Sequence, residues 1–212
     1  MAFPTTPVLT TFTGTDESPL SEGGAWAGPM QNGQGQLRRV SNHAQAALAG
    51  VAPHQSERVT VYGADQEAYG FWQTLPASGQ GFAVWARLTN PDNVATAQAV
   101  LAVYTEGTGF RIFEFTIGTT FNQIGSTNAT VAADNQGIGI ELIGTAVKAK
   151  YWNGSAWSDV VTTTTTIAGA GQIGLELNGA DITAGSFGGG TYSPITYKPP
   201  ALVRRSRRVS WS

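Results

Sequence analysis

The stretch Tyr151-Trp152-Asn153-Gly154-Ser155-Ala156-Trp157-Ser158-Asp159 sets two of the chain's six tryptophans on either side of an Asn-Gly pair. Asn-Gly is the strongest short signal for a β-hairpin, because both residues accept the positive φ of a two-residue type I′ turn. That turn pairs Trp152 with Ser155, Lys150 with Trp157 and Lys148 with Asp159. An opposite-charge pair and a cation–aromatic pair then face each other across the strands. Both indoles share a face with Lys148, Lys150 and Asp159, while Val147, Ala149, Tyr151, Ala156 and Val160 turn to the interior. Indoles on a polar sheet face stack on sugar rings or anchor protein interfaces, unless a crossing loop or a terminal arm covers them. Trp152, Trp157 and Lys150 are therefore the candidate glycan-binding residues.

Other chemistry is sparse. Asp65 and Glu67 have no third acidic partner and read as loop residues. Glu114, Glu141 and Glu176 each stand singly on the polar phase of a strand, where a solvated or interface carboxylate is the default. His43 opens an Ala-rich segment and His54 follows Pro53, and nothing near either supplies a nucleophile with an orienting acid, so both read as surface loop residues. Gly188-Gly189-Gly190 lacks the Lys and the following helix that a phosphate-binding loop requires. The absence of cysteine excludes disulfides and thiolate metal sites. No catalytic residue, metal ligand or cofactor site is expected.

The elements that position these residues read as strands. Short alternating runs separated by Gly, Asn, Asp and Pro recur along the chain, clearest at 81–88, 97–104, 109–117, 137–143, 146–152 and 172–177. Weaker runs lie at 9–13, 36–40, 58–62, 69–75, 156–162 and 181–187. A dozen short strands in 212 residues imply an all-β fold of two stacked antiparallel sheets. The one helix-compatible stretch, residues 42–50, makes two turns at most and reads equally as a loop. Among the remaining tryptophans, Trp85 faces away from Phe82, Val84 and Ala86, while Trp26 and Trp72 belong to the core or its corners. The chain divides into an N-terminal extension at 1–8, a β-sandwich at 9–190 and a Pro/Arg-rich arm at 191–212.

Charged residues make up 12% of the chain, about half the usual share. Residues 1–203 carry 8 basic against 14 acidic side chains, and the last nine positions hold Arg204, Arg205, Arg207 and Arg208. An acidic body with a basic arm suits docking on an acidic neighbour or a second copy, and is not the profile of a nucleic-acid-binding domain. No apolar run approaches the ~20 residues of a membrane span, and no Sec-type signal is visible.

Leu9–Trp26, then Gly137-Ile-Gly-Ile-Glu-Leu, Val147-Lys-Ala-Lys-Tyr-Trp-Asn-Gly and Gly171-Gln-Ile-Gly-Leu-Glu-Leu, resemble the succession of strands in concanavalin A-like (laminin-G/lectin-like) jelly-roll domains. Such domains occur in phage and secreted proteins. The resemblance runs from Leu9 to Phe187 and implies a two-sheet jelly roll. Glycosidases of this family carry a Glu-x-Asp-x-x-Glu spacing, which this chain lacks. The acidic residue that helps hold calcium in some members is Thr10 or Thr11 here, so the sequence does not support a calcium site. With the arm, the resemblance leads to a non-enzymatic structural protein of a phage particle, a capsid decoration or minor tail protein. Its arm would dock on other virion proteins or on its own copies through Arg204, Arg205, Arg207, Arg208 and Trp211. The alternative is a glycan-binding module for adsorption to host-surface polysaccharide, and glycoside hydrolysis is the remotest reading.

Overall fold

A computed structural model describes residues 3–29, 34–46, 53–75, 77–93, 95–116, 120–179 and 181–193. Among the described residues there are fifteen strands and no helix. In chain order they are β1 (Val8–Thr10), β2 (Trp26–Ala27), β3 (Gly35–Val40), β4 (His43–Ala46) and β5 (His54–Arg58). Then come β6 (Gln66–Trp72), β7 (Gly81–Thr89), β8 (Gln98–Thr105), β9 (Gly109–Thr116) and β10 (Thr120–Asn128). The last five are β11 (Gly137–Ile143), β12 (Ala146–Trp152), β13 (Trp157–Thr164), β14 (Gln172–Asn178) and β15 (Ala184–Thr191).

Hydrogen bonding runs in one path, β10-β9-β8-β7-β14-β5-β3-β4-β15-β6-β11-β12-β13, with β1 beside β15 and β2 beside β5. The path folds at β3. Its first residues, Gly35 and Gln36, pair in parallel with β5, whereas Leu37–Val40 pair antiparallel with β4. One sheet therefore holds β10, β9, β8, β7, β14 and β5, and the other holds β4, β15, β6, β11, β12 and β13. At the far edge β10 returns to β13, where the Asn128 side-chain amide donates to the Val160 carbonyl at 2.9 Å. The all-β jelly-roll sandwich expected from the sequence is the observed architecture.

Alternation along each strand fills the space between the sheets. Phe82, Val84 and Ala86 of β7 meet Ile138, Ile140 and Leu142 of β11, Val147 and Ala149 of β12, and Ile173, Leu175 and Leu177 of β14 in one core cluster. Trp26 and Trp72 are buried within it. The opposite phase of β7–β9 forms a second apolar cluster outside the sandwich, of Trp85, Leu88, Ala97, Ala99, Leu101 and Phe115. Trp85 thus faces away from Phe82, Val84 and Ala86, as its phase requires.

Three segments differ most from the sequence expectation, besides the unexpected short β2 and the shifted bounds of β6 and β15. The Ala-rich stretch at 42–50 opens with a strand, because His43–Ala46 completes the turn of the chain after β3. Residues 58–62 are displaced by β5, whose His54, Gln55, Ser56 and Glu57 are all buried despite being polar. His54 is therefore an interior strand residue. β10 went unread because it is a largely exposed polar edge strand with two apolar residues, Phe121 and Ile124.

Candidate functional site

The β12–β13 hairpin forms, with a wider turn than Asn-Gly implies. Trp152 stands directly opposite Trp157, Tyr151 opposite Ser158 and Lys150 opposite Asp159. The loop is Asn153–Ala156. Its Asn153 amide N–H donates to the Ala156 carbonyl at 3.2 Å. The Asn153 side-chain oxygen accepts from the Ser155 N–H at 2.9 Å and the Ala156 N–H at 3.0 Å. Asn153 thus organises the turn through its side chain, and only Gly154 takes a positive φ, at 97°. The pairings of Trp152 with Ser155, Lys150 with Trp157 and Lys148 with Asp159 are all corrected by this longer loop.

A bulge then shifts the phase of β13 beyond Asp159. Between Ala149 and Lys150 the register shifts, so that Ala149 faces Val161 and Lys148 faces Thr162. An extra residue on one strand produces this offset. Val161, rather than Val160 alone, reaches the core, and Ala156 is exposed in the loop. Both indoles and the charged residues keep a common face.

That face is a groove of about 460 Å³ lined by Phe3, Lys148, Lys150, Trp152, Trp157, Ser158 and Asp159. Trp152 and Trp157 are half-buried, with ring centroids 5.7 Å apart. Trp157 packs edge-on to Phe3 at 4.8 Å and to Phe71 at 5.6 Å. Phe3 reaches the platform because its segment is tied down: the Glu67 carboxylate accepts from the Thr5 N–H at 2.7 Å and the Thr6 N–H at 3.0 Å. Glu67 is a buried residue of β6, which corrects its reading as a loop carboxylate. The ring lies over Gly139, where a Cβ would stand 2.5 Å from Phe3 Cζ.

Four charges sit at the groove. Asp159 Oδ1 is 2.6 Å from Lys150 Nζ, and Oδ2 is 3.1 Å from Lys148 Nζ. Glu141 Oε1 lies 3.5 Å from Lys150 Nζ and 3.8 Å from Lys148 Nζ. Burial alone would raise the Asp159 carboxyl, but hydrogen bonds from Lys150 and Lys148 outweigh it and hold the group below its usual range. The hydrogen bond to Asp159 raises Lys148. Both signs of charge are therefore kept ionised at neutral pH.

The other single carboxylates are not solvated either. Glu114 is buried and accepts from the Thr165 hydroxyl and the Thr166 N–H, each at 2.6 Å. Glu176 accepts from Gln55 Nε2 at 2.8 Å and from the Trp85 indole N–H at 3.1 Å. Burial pushes Glu176 up to about 7, and does the same to Glu57 on the neighbouring strand. Those values suit a general acid, yet neither residue lines the groove.

Glu22 accepts from the Thr10 hydroxyl at 2.5 Å and pairs with Arg39 and Arg58. Among the described residues no group of three or more His, Asp or Glu is placed to hold a metal ion. Arg204, Arg205, Arg207, Arg208 and Trp211 lie outside the described residues.

Phe3 and Glu141 were missed by sequence reasoning. Phe3 carries no local signal, since only the fold brings residue 3 over β11. Glu141 had one: the tight Gly144-Thr145 turn between β11 and β12 places it opposite Lys148.

No family model matches the chain, and no curated protein matches it in sequence. Solved structures do share its fold. The carbohydrate-binding module CBM66 from Bacillus subtilis superposes with a TM-score of 0.57 at 17% identity, over 79% of this chain and 94% of that one. A legume lectin-like domain from Entamoeba histolytica gives 0.54 at 12%, over 76% and 89%. The β-glucanase of Bacillus licheniformis gives 0.51 at 15%, over 87% and 97%. At these identities the likeness establishes a concanavalin A/galectin-like jelly roll.

Proposed function

We propose that this chain is a non-enzymatic carbohydrate-binding β-sandwich that takes polysaccharide on the outer face of the β12–β13 hairpin. The observation that carries this reading is the groove itself. Two half-buried indoles, Trp152 and Trp157, share an open face of about 460 Å³ with ionised Lys148 and Asp159 and with Ser158. That combination of apolar ring faces and fixed hydrogen-bonding groups is what a sugar ring needs, and the volume is ordinary for a small-ligand site. The fold likeness to proteins named as a carbohydrate-binding module and a legume lectin-like domain supports it.

A place in a phage particle rests on the fold resemblance, the weakly charged surface and the arm at 191–212, which from residue 194 onward lies outside the described residues. The groove reading rests on side chains among the described residues and takes precedence. The two are compatible, since a polysaccharide-binding face would serve adsorption to a host surface.

The test is retention on a panel of immobilised polysaccharides. Trp152→Ala should weaken retention about tenfold or more with the circular dichroism spectrum unchanged. Trp157→Ala should do the same, at some cost in stability because Trp157 also supports Phe3 and Phe71. Retention that survives both substitutions would place the site elsewhere.

A further inference from the structure

Two lysines in an aromatic groove look like a seat for an anionic sugar, a uronate or a phosphorylated unit. The geometry points to the opposite. We infer that Asp159 is the specificity-determining residue of the groove, closing both lysines to anions and offering, with Lys148, a diol-binding pair for uncharged sugar rings. This rests on the glycan-binding reading above.

Each oxygen of Asp159 is committed to a different ammonium, Oδ1 to Lys150 at 2.6 Å and Oδ2 to Lys148 at 3.1 Å. Glu141 lies within 3.8 Å of both lysines, so two positive and two negative groups form a closed set with no net charge. Asp159 is held in the strand ladder directly opposite Lys150. A carboxylate or phosphate entering the groove must therefore displace Asp159 from its lysines or lie against its charge. Either route leaves one anion without a partner in a partly desolvated site.

A neutral hydroxyl meets no such conflict. An ammonium has three donors and a carboxylate about four acceptor positions, so each retains capacity after its ion pairs are made. Exposure separates the roles. The side chains of Lys148 and Asp159 are 37% and 39% exposed, whereas those of Lys150 and Glu141 are 8% and 11% exposed. Lys148 and Asp159 are reachable by ligand, and adjacent hydroxyls can donate to the carboxylate and accept from the ammonium. Lys150 and Glu141 act as positioning residues that hold this pair. Trp152 and Trp157 supply the ring faces.

Affinity electrophoresis tests the assignment, with gels containing neutral polymers (β-1,3-glucan, β-1,4-glucan, mannan, galactan) or uronate polymers (polygalacturonate, alginate, hyaluronan). The unaltered protein should be retarded by at least one neutral polymer and by none of the uronates. That retardation should change less than about twofold between about 50 mM and about 500 mM salt. Asp159→Asn frees one positive charge and should gain on the order of tenfold on a uronate polymer, lost again at high salt. Asp159→Ser makes the same charge change with a smaller side chain and serves if Asp159→Asn fails to fold, whereas Glu141→Gln, which leaves Asp159 on both lysines, should gain less. Salt-sensitive retardation of the unaltered protein by uronates, abolished by Trp152→Ala, would overturn the assignment while leaving the glycan reading intact. Folded variants that gain nothing on uronates would overturn it as well. Absence of retardation by every polymer would overturn both.

Discussion

The guanidinium of Arg87 is buried, and its backbone sits at a positive φ of 51° in the irregular stretch of β7. Its Nε donates to the Ala64 carbonyl at 2.8 Å, and its two Nη atoms donate to Ile167 and Gly144 at 2.6 Å each. One side chain thus satisfies backbone acceptors from three separate segments at one end of the sandwich. The Gly144 contact matters for the groove, because the turn at Gly144 sets the β11–β12 register that brings Glu141 opposite Lys148. Arg87→Met keeps most of the volume but leaves three carbonyls without their donor. It should destabilise the fold by about 3–5 kcal/mol, read as a lower urea midpoint. Arg87→Lys should recover only part of that loss, since an ammonium cannot reproduce the planar fork.

At the level of elements, the site is built by β11, β12 and β13 and floored by glycine. Gly139 leaves room for Phe3 on the outer face of β11, as Gly137 does for Phe71. Gly139 has no left-handed φ, so alanine there meets a steric conflict and no backbone strain. Because the obstructing atom is the far end of the Phe3 ring, Gly139→Ala should cost only about 1 kcal/mol of stability. It should shift the Phe3 ring from Trp157, seen as a change in Trp157 indole resonances by NMR. An unshifted Trp157 resonance would mean that Phe3 does not rest on this platform. Legibility in the sequence followed the same elements. β11 and β12 read clearly because Ile138, Ile140, Leu142, Val147 and Ala149 alternate strictly with glycine or charge. β5 did not, because its buried residues His54, Gln55, Ser56 and Glu57 are polar and only the neighbouring strands make them interior. The shared face of Trp152, Trp157, Lys150 and Asp159 was legible from phase alone. The turn was not, because Asn153 could serve either as a positive-φ residue or as a side-chain acceptor, and the two loops differ by two residues, which leaves the phase at Trp157 and Asp159 the same under both.

Across the whole molecule the shifted carboxyls pull stability in opposite directions. Burial raises Glu57 and Glu176 to about 7, both in the sheet that does not carry the groove. For Glu114, hydrogen bonds from Thr165 and Thr166 outweigh burial and hold the carboxyl low, and for Asp159 those from Lys150 and Lys148 do so. An unfolded glutamate titrates near ~4.3. Between that value and about 7 the native state keeps protons on Glu57 and Glu176 that the unfolded state has released. Rising pH therefore favours unfolding through this window, by at most about 1.4 kcal/mol per pH unit for each group. Glu114 and Asp159 work the other way: their contribution is present above their unfolded pKa values and is lost as pH falls through the lowered native ones. Thermal stability should peak at about pH 5, decline to about pH 7 and level off above it. Glu57→Gln and Glu176→Gln should each flatten the decline without moving the acid limb. Retention on neutral polysaccharide should stay level over the same range, because Lys148 and Asp159 remain ionised throughout it. A melting temperature level from pH ~5 to ~8 would show that the two raised carboxyls are not buried as the sheet packing places them.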